Sequence, residues 1–571
     1  MTQCSKLLAE RLGFCILIAM EDKKLKDPLY GYIAVPEDIM HAIVDSAAFQ
    51  RLRRITQTSY APLYSSAMHN RFVHSLGVYH LGKIASDSLV REIKKEVKSE
   101  RDLNVERMQK VFLLACLLHD VGHAPFSHTG EDFYLAEEGN YSQLHTLLKD
   151  EVSDAQFTND VDAVRKSAAP HEIMSAIVGL RSFASFFLDP EEKDFFARCI
   201  TGYQYGNLNA KDSIRNCFIQ LLNSNTIDVD KLDYLIRDSY ITGFDTIRID
   251  YRRLLNAITI IANDSASSYR LAYSKGAVSV IENVIYAHDS EKKWIQSHPV
   301  ILYENNLLTH IMRMLSEEYA DGESRLFSLE SISPEGVTLK NMEKVCLLCD
   351  DDIIHLMKKY YPDNPYVQEY FDRCQRCHPI WKSEAEYKAY LYEKIHGGEI
   401  LENMEYNLLA AAEYLKNNEY GVVNEQLIRE MQLEINQLKQ MSLDQPAIQK
   451  KVNQIEKNLA LFNLLLNKAK EKNCLGEFVL LMASQFKSGF LKSDFENIEI
   501  VFNHQNNKTF KFHKIASSLT GRKEEDENAG HKEGRKESKK NTFYLYYRRD
   551  GGQKVNWDAE TLLMEMFKIY M

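Results

Sequence analysis

The side chains best suited to chemistry in this sequence are His119 and Asp120, an adjacent imidazole and carboxylate that end the apolar run Val111–Leu118, with His123 and His128 following across a turn that contains Gly122 and Pro125. The run must be interior, and an unpaired charge delivered to an interior is costly. A divalent metal ion would satisfy the pair; a hydrogen-bonded His and Asp closing a core helix is the alternative that this stretch alone leaves open. Two further segments carry matching residue types. In HNRFVHSLGVYHLG, residues 69–82, Arg71 precedes His74 by three positions and shares its face if the segment is helical. In DVDKLDYLIRD, residues 228–238, Asp230, Asp233 and Tyr234 stand with Lys231 and Arg237 beside an apolar stripe of Leu232, Leu235 and Ile236. Together His74, His119, Asp120 and Asp230 are four donors of the kind that suits a first-row divalent ion in a hydrolytic site, with Mg, Mn, Fe and Zn all open. Two neutral imidazoles and two carboxylates balance a dication and leave positions for water and a phosphate oxygen, so bound water is acidified and phosphoryl oxygen polarised. His123 and His128 are further imidazoles able to deliver a proton near neutral pH. Arg71 and Lys231 supply fixed positive charge for phosphates. His171 opens a helix after Pro170, where spacing alone reads as a capping or solvent-facing residue.

The elements that must position these groups follow from periodicity. Val35–Ile55 carries apolar residues at helical spacing and bears Asp45, Gln50, Arg51, Arg53, Arg54 and, just beyond, Gln57. Gly77 and Gly82-Lys83 fit the start of a phosphate loop, but Ile84 stands where the Mg-binding hydroxyl belongs, which excludes that reading. Residues 131–169 read as loops and short helices, and 250–420 as amphipathic helix in which His288-Asp289 is a chance repeat. Two CxxC pairs, Cys346 with Cys349 and Cys374 with Cys377, lie farther apart than the roughly 15 to 20 residues of a zinc ribbon and read as buried helix cysteines. From 424 to 472 the series Ile428, Met431, Ile435, Leu438 and Ile448, Val452, Ile455, Leu459, Phe462, Leu466 predict a helical hairpin with a coiled-coil seam, Pro446 opening its second arm. It could pack within the chain or between subunits. Alternation near 500, 510 and 545 predicts strands, the first two joined through Asn506-Asn507; residues 521–540 read as a disordered charged loop and 557–570 as a closing helix. The division expected is 1–330, 331–423, 424–472 and 473–571.

With 571 residues, of which 45% are hydrophobic and 26% charged, the chain can bury more than one core. A net charge of -11 supplies no basic field for nucleic acid or anionic membrane, so a polyanionic ligand needs a local cluster. The early apolar run Leu12–Met20 is too short to span a bilayer and reads as a buried strand or helix. Ten cysteines without a signal peptide imply reduced thiols and a cytoplasmic setting.

The motifs NRFVHSLGV, LLHDVGHAPFSH, the His171-Glu172 pair and DVDKLDYLIRD, in this order, resemble the HD-domain phosphohydrolases, specifically their dNTP triphosphohydrolase branch. The resemblance covers about residues 23–300 and is weak in the C-terminal lobe. It implies a mainly α fold, an HD-domain helical core with a smaller α+β C-terminal lobe and the hairpin as an insertion. It makes His74, His119, Asp120 and Asp230 metal ligands; His123, His128 and His171 active-site histidines, one of them the proton donor; and Gln57, Arg71, Lys231, Tyr234 and Asp238 contacts to sugar and triphosphate. The implied reaction is attack of water on the α-phosphorus of a dNTP, and the implied role is dNTP limitation, housekeeping or antiviral. KKLKDPLYG and DSAAFQRLRRI are similar to segments forming an activating nucleotide pocket, which implies that Lys23, Asp45, Gln50 and Arg53 hold GTP or a dNTP at a subunit interface of a dimer or tetramer. The chain departs from the family at AHDSEKKWIQSH, residues 287–298, where an Arg and His-rich helix is expected. An HD phosphodiesterase or phosphomonoesterase is the competing enzyme. A nucleotide-sensing or nucleic-acid-binding protein with weak catalysis would not need all four ligands.

Overall fold

A computed structural model describes residues 22–97, 103–135, 140–163, 168–206, 209–244, 248–263, 267–319, 325–392, 398–418, 422–440, 446–472, 477–484, 498–503, 508–512, 541–548 and 555–570. The expectations for Leu12–Met20, Asn506-Asn507 and residues 521–540 fall outside these.

The chain is mainly helical, as the sequence predicts. It opens with an antiparallel hairpin, β1 (Lys23–Asp27) and β2 (Gly31–Val35), turned at Gly31 with φ +83°. The first long helix is α1 (Arg71–Glu96), capped by the Asn70 side chain, which accepts from Val73 N. Behind it lies α2 (Val105–Leu118), capped by Asn104 and buried along Val111–Leu118 apart from Leu113. Next come α3 (Pro170–Ser182), α4 (Pro190–Thr201), α5 (Ala210–Leu222) and α6 (Val229–Thr242). Asp189, Asn209 and Asp228 cap the last three by accepting from the backbone three residues on. Each such cap is worth about 1 kcal/mol. The stretch expected to be loops and short helices contains the helices Asn140–Val152 and Ala155–Ala163.

Gly77 and Gly82, which mimic a phosphate loop in the sequence, sit inside α1 and let neighbours approach. A Cβ on Gly77 would lie 1.9 Å from Asp233 Oδ1 and 2.5 Å from Arg237 Nη2 on α6; one on Gly82 would lie 2.6 Å from Cys116 Sγ on α2. We therefore expect Gly77→Ala to force α1 from α6 and cost about 2 to 3 kcal/mol in urea unfolding, despite alanine's better helix propensity.

Tertiary packing divides the chain differently from the expected boundary at 330. One core runs from Tyr30 through Val367 and takes in Ile498, Ile500 and Phe512. The reason is a sheet: β3 (Ile258–Ala262) and β4 (Tyr269–Ser274) pair antiparallel, and Glu499–Asn503 adds alongside β4 in parallel, followed by Lys508–Lys511. These C-terminal strands thus belong to the first body. The second core spans residues 377–570, with Tyr303 reaching in from α7 (Pro299–Glu318). It contains the sheet in which Asn541–Tyr547 pairs with Phe478–Ser484.

The hairpin arms are Glu425–Gln440 and Pro446–Glu471. They bury Leu427, Ile428, Met431 and Ile435 against Val452, Ile455 and Phe462, with Met404, Leu408 and Leu563 from other helices in the same core. The seam therefore packs within the chain, and Lys439–Glu456 and Lys451–Glu434 pair across the arms at 2.6 and 2.9 Å. The CxxC cysteines form no common donor group among the described residues. Cys349 instead precedes a helix and donates Sγ–H to Asp352 at 3.2 Å, while Cys346 and Cys374 are exposed. No described helix is long and apolar enough to cross a membrane.

Candidate metal and phosphate site

Three helices deliver the donors. The first turns of α1 carry Arg71 and His74, the end of α2 presents His119 and the turn after it Asp120, and the first turn of α6 carries Asp230. His74 is fully buried, its Nδ1 2.8 Å from Asp233 Oδ2 and its Nε2 2.9 Å from Asp230 Oδ1. His119 Nδ1 lies 3.0 Å from the Cys116 carbonyl, which can only accept, so its proton is on Nδ1. Asp233 fixes the His74 tautomer in the same way. Both Nε2 lone pairs then face each other at 3.3 Å, with Asp120 oxygens 3.7 Å from the first and 3.5 Å from the second. Two lone pairs and the Asp230 carboxylate, whose ligand-type atoms lie within 4.8 Å of one another, call for a cation, and Asp120 stands at the edge of that group. With no cation at that point, burial would lower the His74 pKa, but the bonds to Asp230 and Asp233 overcome it and raise it to about 10, so the ring holds on Nε2 a proton that a bound metal ion would displace. Burial would likewise raise Asp120, but Arg71, His119 and His74 bring it down to about 2. The donor set therefore fits a divalent ion, and outer partners orient it as carboxylate–histidine pairs orient metal ligands elsewhere.

Behind this set lies a layer whose role the sequence reading did not assign. Asp233 accepts from Tyr30 OH at 2.7 Å and from Arg237 Nε and Nη2 at 2.9 and 3.0 Å; Arg237 also donates to Asp27 at 3.0 Å. Asp27 in turn caps the β1–β2 turn through the Leu29 and Tyr30 amides. Asp233 and Arg237 are one helical turn apart, a legible signal; their partners Asp27 and Tyr30 gave none.

A second group gathers His123, His128, Glu131 and His171, whose ligand-type atoms also lie within 4.8 Å of one another. Glu131 Oε1 is 2.5 Å from His128 Nδ1 and 3.0 Å from His171 Nδ1. His123 stacks on His171 with centroids 4.3 Å apart and an 11° tilt. Burial, followed by Arg71 and His171, pushes His123 well down, so it is neutral. His171 goes the other way: burial would lower it, but Glu131 raises it to about 9. Glu131 was missed because it opened a polar stretch read as loops and short helices, although its i+3 spacing from His128 marks it. The sign of the linkage is definite. A histidine with an unfolded pKa near 6.5 and a folded value of about 9 contributes stability that is complete below pH 6.5 and lost as pH rises to 9. In chelator-treated protein, the unfolding free energy of wild type relative to His171→Gln should fall by about 3 kcal/mol across that window. A flat difference would show that Glu131 holds no proton there.

Both groups border a cavity of about 360 Å3 whose lining includes Gln57, Tyr60, Arg71, Asp120, His128, His171, Asp230, Tyr234, Asp238, Glu291 and Gln296. Gln57 Oε1 and Thr58 Oγ1 are buried without a hydrogen-bond partner. Arg71 donates to Asp120 at 2.9 Å and to Ser127 Oγ at 2.9 Å. Asp238 is held by His69 at 2.7 Å, a buried histidine not singled out from sequence. Lys231, expected at the phosphates, turns instead to Asp228 and the Ser224 carbonyl. Where the family departure lies, Glu291 bonds Tyr60 and Gln296, and burial together with Asp238 drives its pKa well up.

Residues 71–200 match the family described as the HD domain. This segment is an HD domain. His119 and Asp120 lie within it, and its converging imidazoles and carboxylate are those of an HD-domain metal-dependent phosphohydrolase. The chain is 26% identical over 349 residues to an uncharacterized protein, MG461, of Mycoplasma genitalium, covering 59% of this chain and 72% of that one. It is 29% identical over 286 residues to a deoxynucleoside triphosphate triphosphohydrolase SAMHD1 homolog of Dictyostelium discoideum, covering 47% of this chain and 46% of that protein. The chain thus spans under half of the Dictyostelium relative. A crystal structure of a hypothetical protein from Aquifex aeolicus aligns over 96% of this chain and 100% of its own, with TM-score 0.49 and 18% identity.

Away from the HD domain, the four residues assigned to an activator lie along the β1–β2 hairpin and the helical turns after it. Lys23 pairs with Glu37 at 3.4 Å and Asp45 with His41 at 3.3 Å. Gln50 donates to the Val44 carbonyl and accepts from Arg53 Nε at 2.8 Å, and the Arg53 guanidinium lies 3.5 Å over the Phe72 ring.

Proposed function

We propose that this chain hydrolyses deoxynucleoside triphosphates to deoxynucleoside and inorganic triphosphate. The observation that carries the reading is the convergence of His74 Nε2, His119 Nε2 and Asp230, with Asp120 beside both nitrogens, at the edge of a cavity that Arg71 and His128 also line. The name of the Dictyostelium relative supports the choice of substrate. When bound by His74, His119, Asp120 and Asp230, a divalent ion (Mg, Mn, Fe or Zn) would acidify a water and polarise phosphoryl oxygen. Arg71 offers a fixed charge to the phosphates. His128 donates Nδ1–H to Glu131, which leaves Nε2 to carry the transferred proton. As water adds to the α-phosphorus, the bond to the 5′ oxygen breaks and that oxygen takes its proton from His128. Gln57, Tyr234 and Asp238 border the space for the sugar. Lys23, Asp45, Gln50 and Arg53 would take a second nucleotide, GTP or dNTP, in an oligomer.

One observation favours a second reading. Arg71 is the single Lys or Arg among the lining residues, because Lys231 is turned away, which suits a nucleotide with fewer phosphates and hence a phosphomonoesterase or phosphodiesterase. Incubation with each dNTP, singly and in pairs, with Mg, Mn or Fe and chromatography of the products separates the two. Free triphosphate with deoxynucleoside is the expected result; orthophosphate or a nucleoside monophosphate would overturn it. Dependence on pairs would reveal the activating nucleotide.

A further inference from the structure

The loop that joins Asp120 to His128 is held from outside the HD domain. Phe126 and Ser127 both have φ of +54°, a left-handed backbone that non-glycine residues keep only where the surroundings enforce it. The enforcement comes from two buried side chains. Asp350, at the start of the Asp350–Tyr360 helix, accepts from Phe126 N at 2.6 Å through Oδ1, and from Thr56 N and Oγ1 at 2.8 and 2.6 Å through Oδ2. Thr56 passes the restraint on, since its carbonyl accepts from Ser127 Oγ at 2.5 Å. Arg51 donates Nη2 to the His123 carbonyl at 2.5 Å, Nη1 to Val121 at 3.3 Å and Nε to Leu348 at 2.7 Å. The Leu348–Asp350 junction is therefore tied to the backbone on both sides of the turn, immediately before Ser127 and His128.

We infer that Asp350 and Arg51 are positioning residues, which through the Phe126 amide and the Val121 and His123 carbonyls set where His128 stands against the leaving oxygen. The inference rests on the reading of His128 as proton donor. Neither residue lines the cavity or touches the proposed metal ligands' side chains. A residue acting this way alters the proton-transfer step while leaving metal and substrate binding in place.

The test uses Asp350→Ala and Asp350→Asn in the full chain, the second keeping size and one acceptor oxygen while setting an amide N–H against the N–H of Phe126 or the donors of Thr56. With dNTP and metal, we expect kcat to fall about 10- to 100-fold in Asp350→Ala and less in Asp350→Asn, with KM and metal content within about twofold of wild type. An unchanged kcat, or a fall in metal content with a rise in KM that accounts for the lost activity, would overturn the inference. Histidine imidazole NMR reads the loop independently of turnover: the His128 resonances should shift in both variants. If they do not, the inference fails even where the enzyme is active; if they do while wild type cleaves no dNTP, it is the substrate reading that has failed.

Discussion

Alanine at His119 or Asp120 should strip the protein of its metal and lower turnover by about a thousandfold or more, beyond the 10- to 100-fold typical of an outer partner of a metal ligand. The two effects belong together because each residue faces the same point. His119 Nε2 is 3.3 Å from His74 Nε2 and 3.7 Å from Asp230, and Asp120 lies between these nitrogens and Arg71. Asp120→Ala also leaves the buried Arg71 guanidinium with only Ser127 and the Gln57 carbonyl as partners, so its unfolding midpoint should drop more than that of His119→Ala. Elemental analysis of purified protein with turnover on the same samples makes the measurement. Metal content equal to wild type in both variants would remove these residues from the ligand set. Repeating the analysis on His123→Ala tests the neighbouring histidine group, which is expected to keep the ion while losing activity.

Asp233→Ala carries the second large effect, and it acts on folding first. The Asp233 carboxylate is fully buried and receives Tyr30, Arg237 and His74. Its removal leaves Arg237 buried with Asp27 as its remaining carboxylate, a broken buried ion pair that costs about 3 to 5 kcal/mol. The same change frees the His74 ring, and metal affinity should fall about 10- to 100-fold in whatever fraction stays folded. Asp233→Asn separates the two consequences. It fills the same space and can still accept from Arg237, so it should fold better, yet its amide cannot match the charge that holds the His74 Nδ1 proton. Urea unfolding and metal titration on both variants check this. Wild-type metal affinity in Asp233→Ala would show that the outer layer does not orient the ligand.

How much of this was readable before folding can be judged residue by residue. The run Val111–Leu118 and the spacings 71–74, 230–233 and 233–237 lie within one or two helical turns, so the 3.6-residue period alone announces their common faces. The hairpin seam was legible for the same reason, and Pro446 opens its second arm. Lys231 shows the limit of such reasoning. It shares a helix with Asp230, yet its flexible stem lets the ammonium fold back onto Asp228 at the helix cap, and no periodicity reports that choice. Strand Glu499–Asn503 was expected from alternation, but alternation is silent about partners, and it joined β4 of the first body.

The sequence by itself therefore determined the helices, the hairpin and the inventory of imidazoles and carboxylates, because these depend on residue type and on spacing within a few turns. Tertiary structure alone decided which groups stand behind them. Tyr30 meets Asp233 across 203 residues and Arg51 meets Leu348 across 297. Contacts of that reach follow from how whole elements pack, and they are specified only when burial forces each interior charge to find the one partner that can satisfy it.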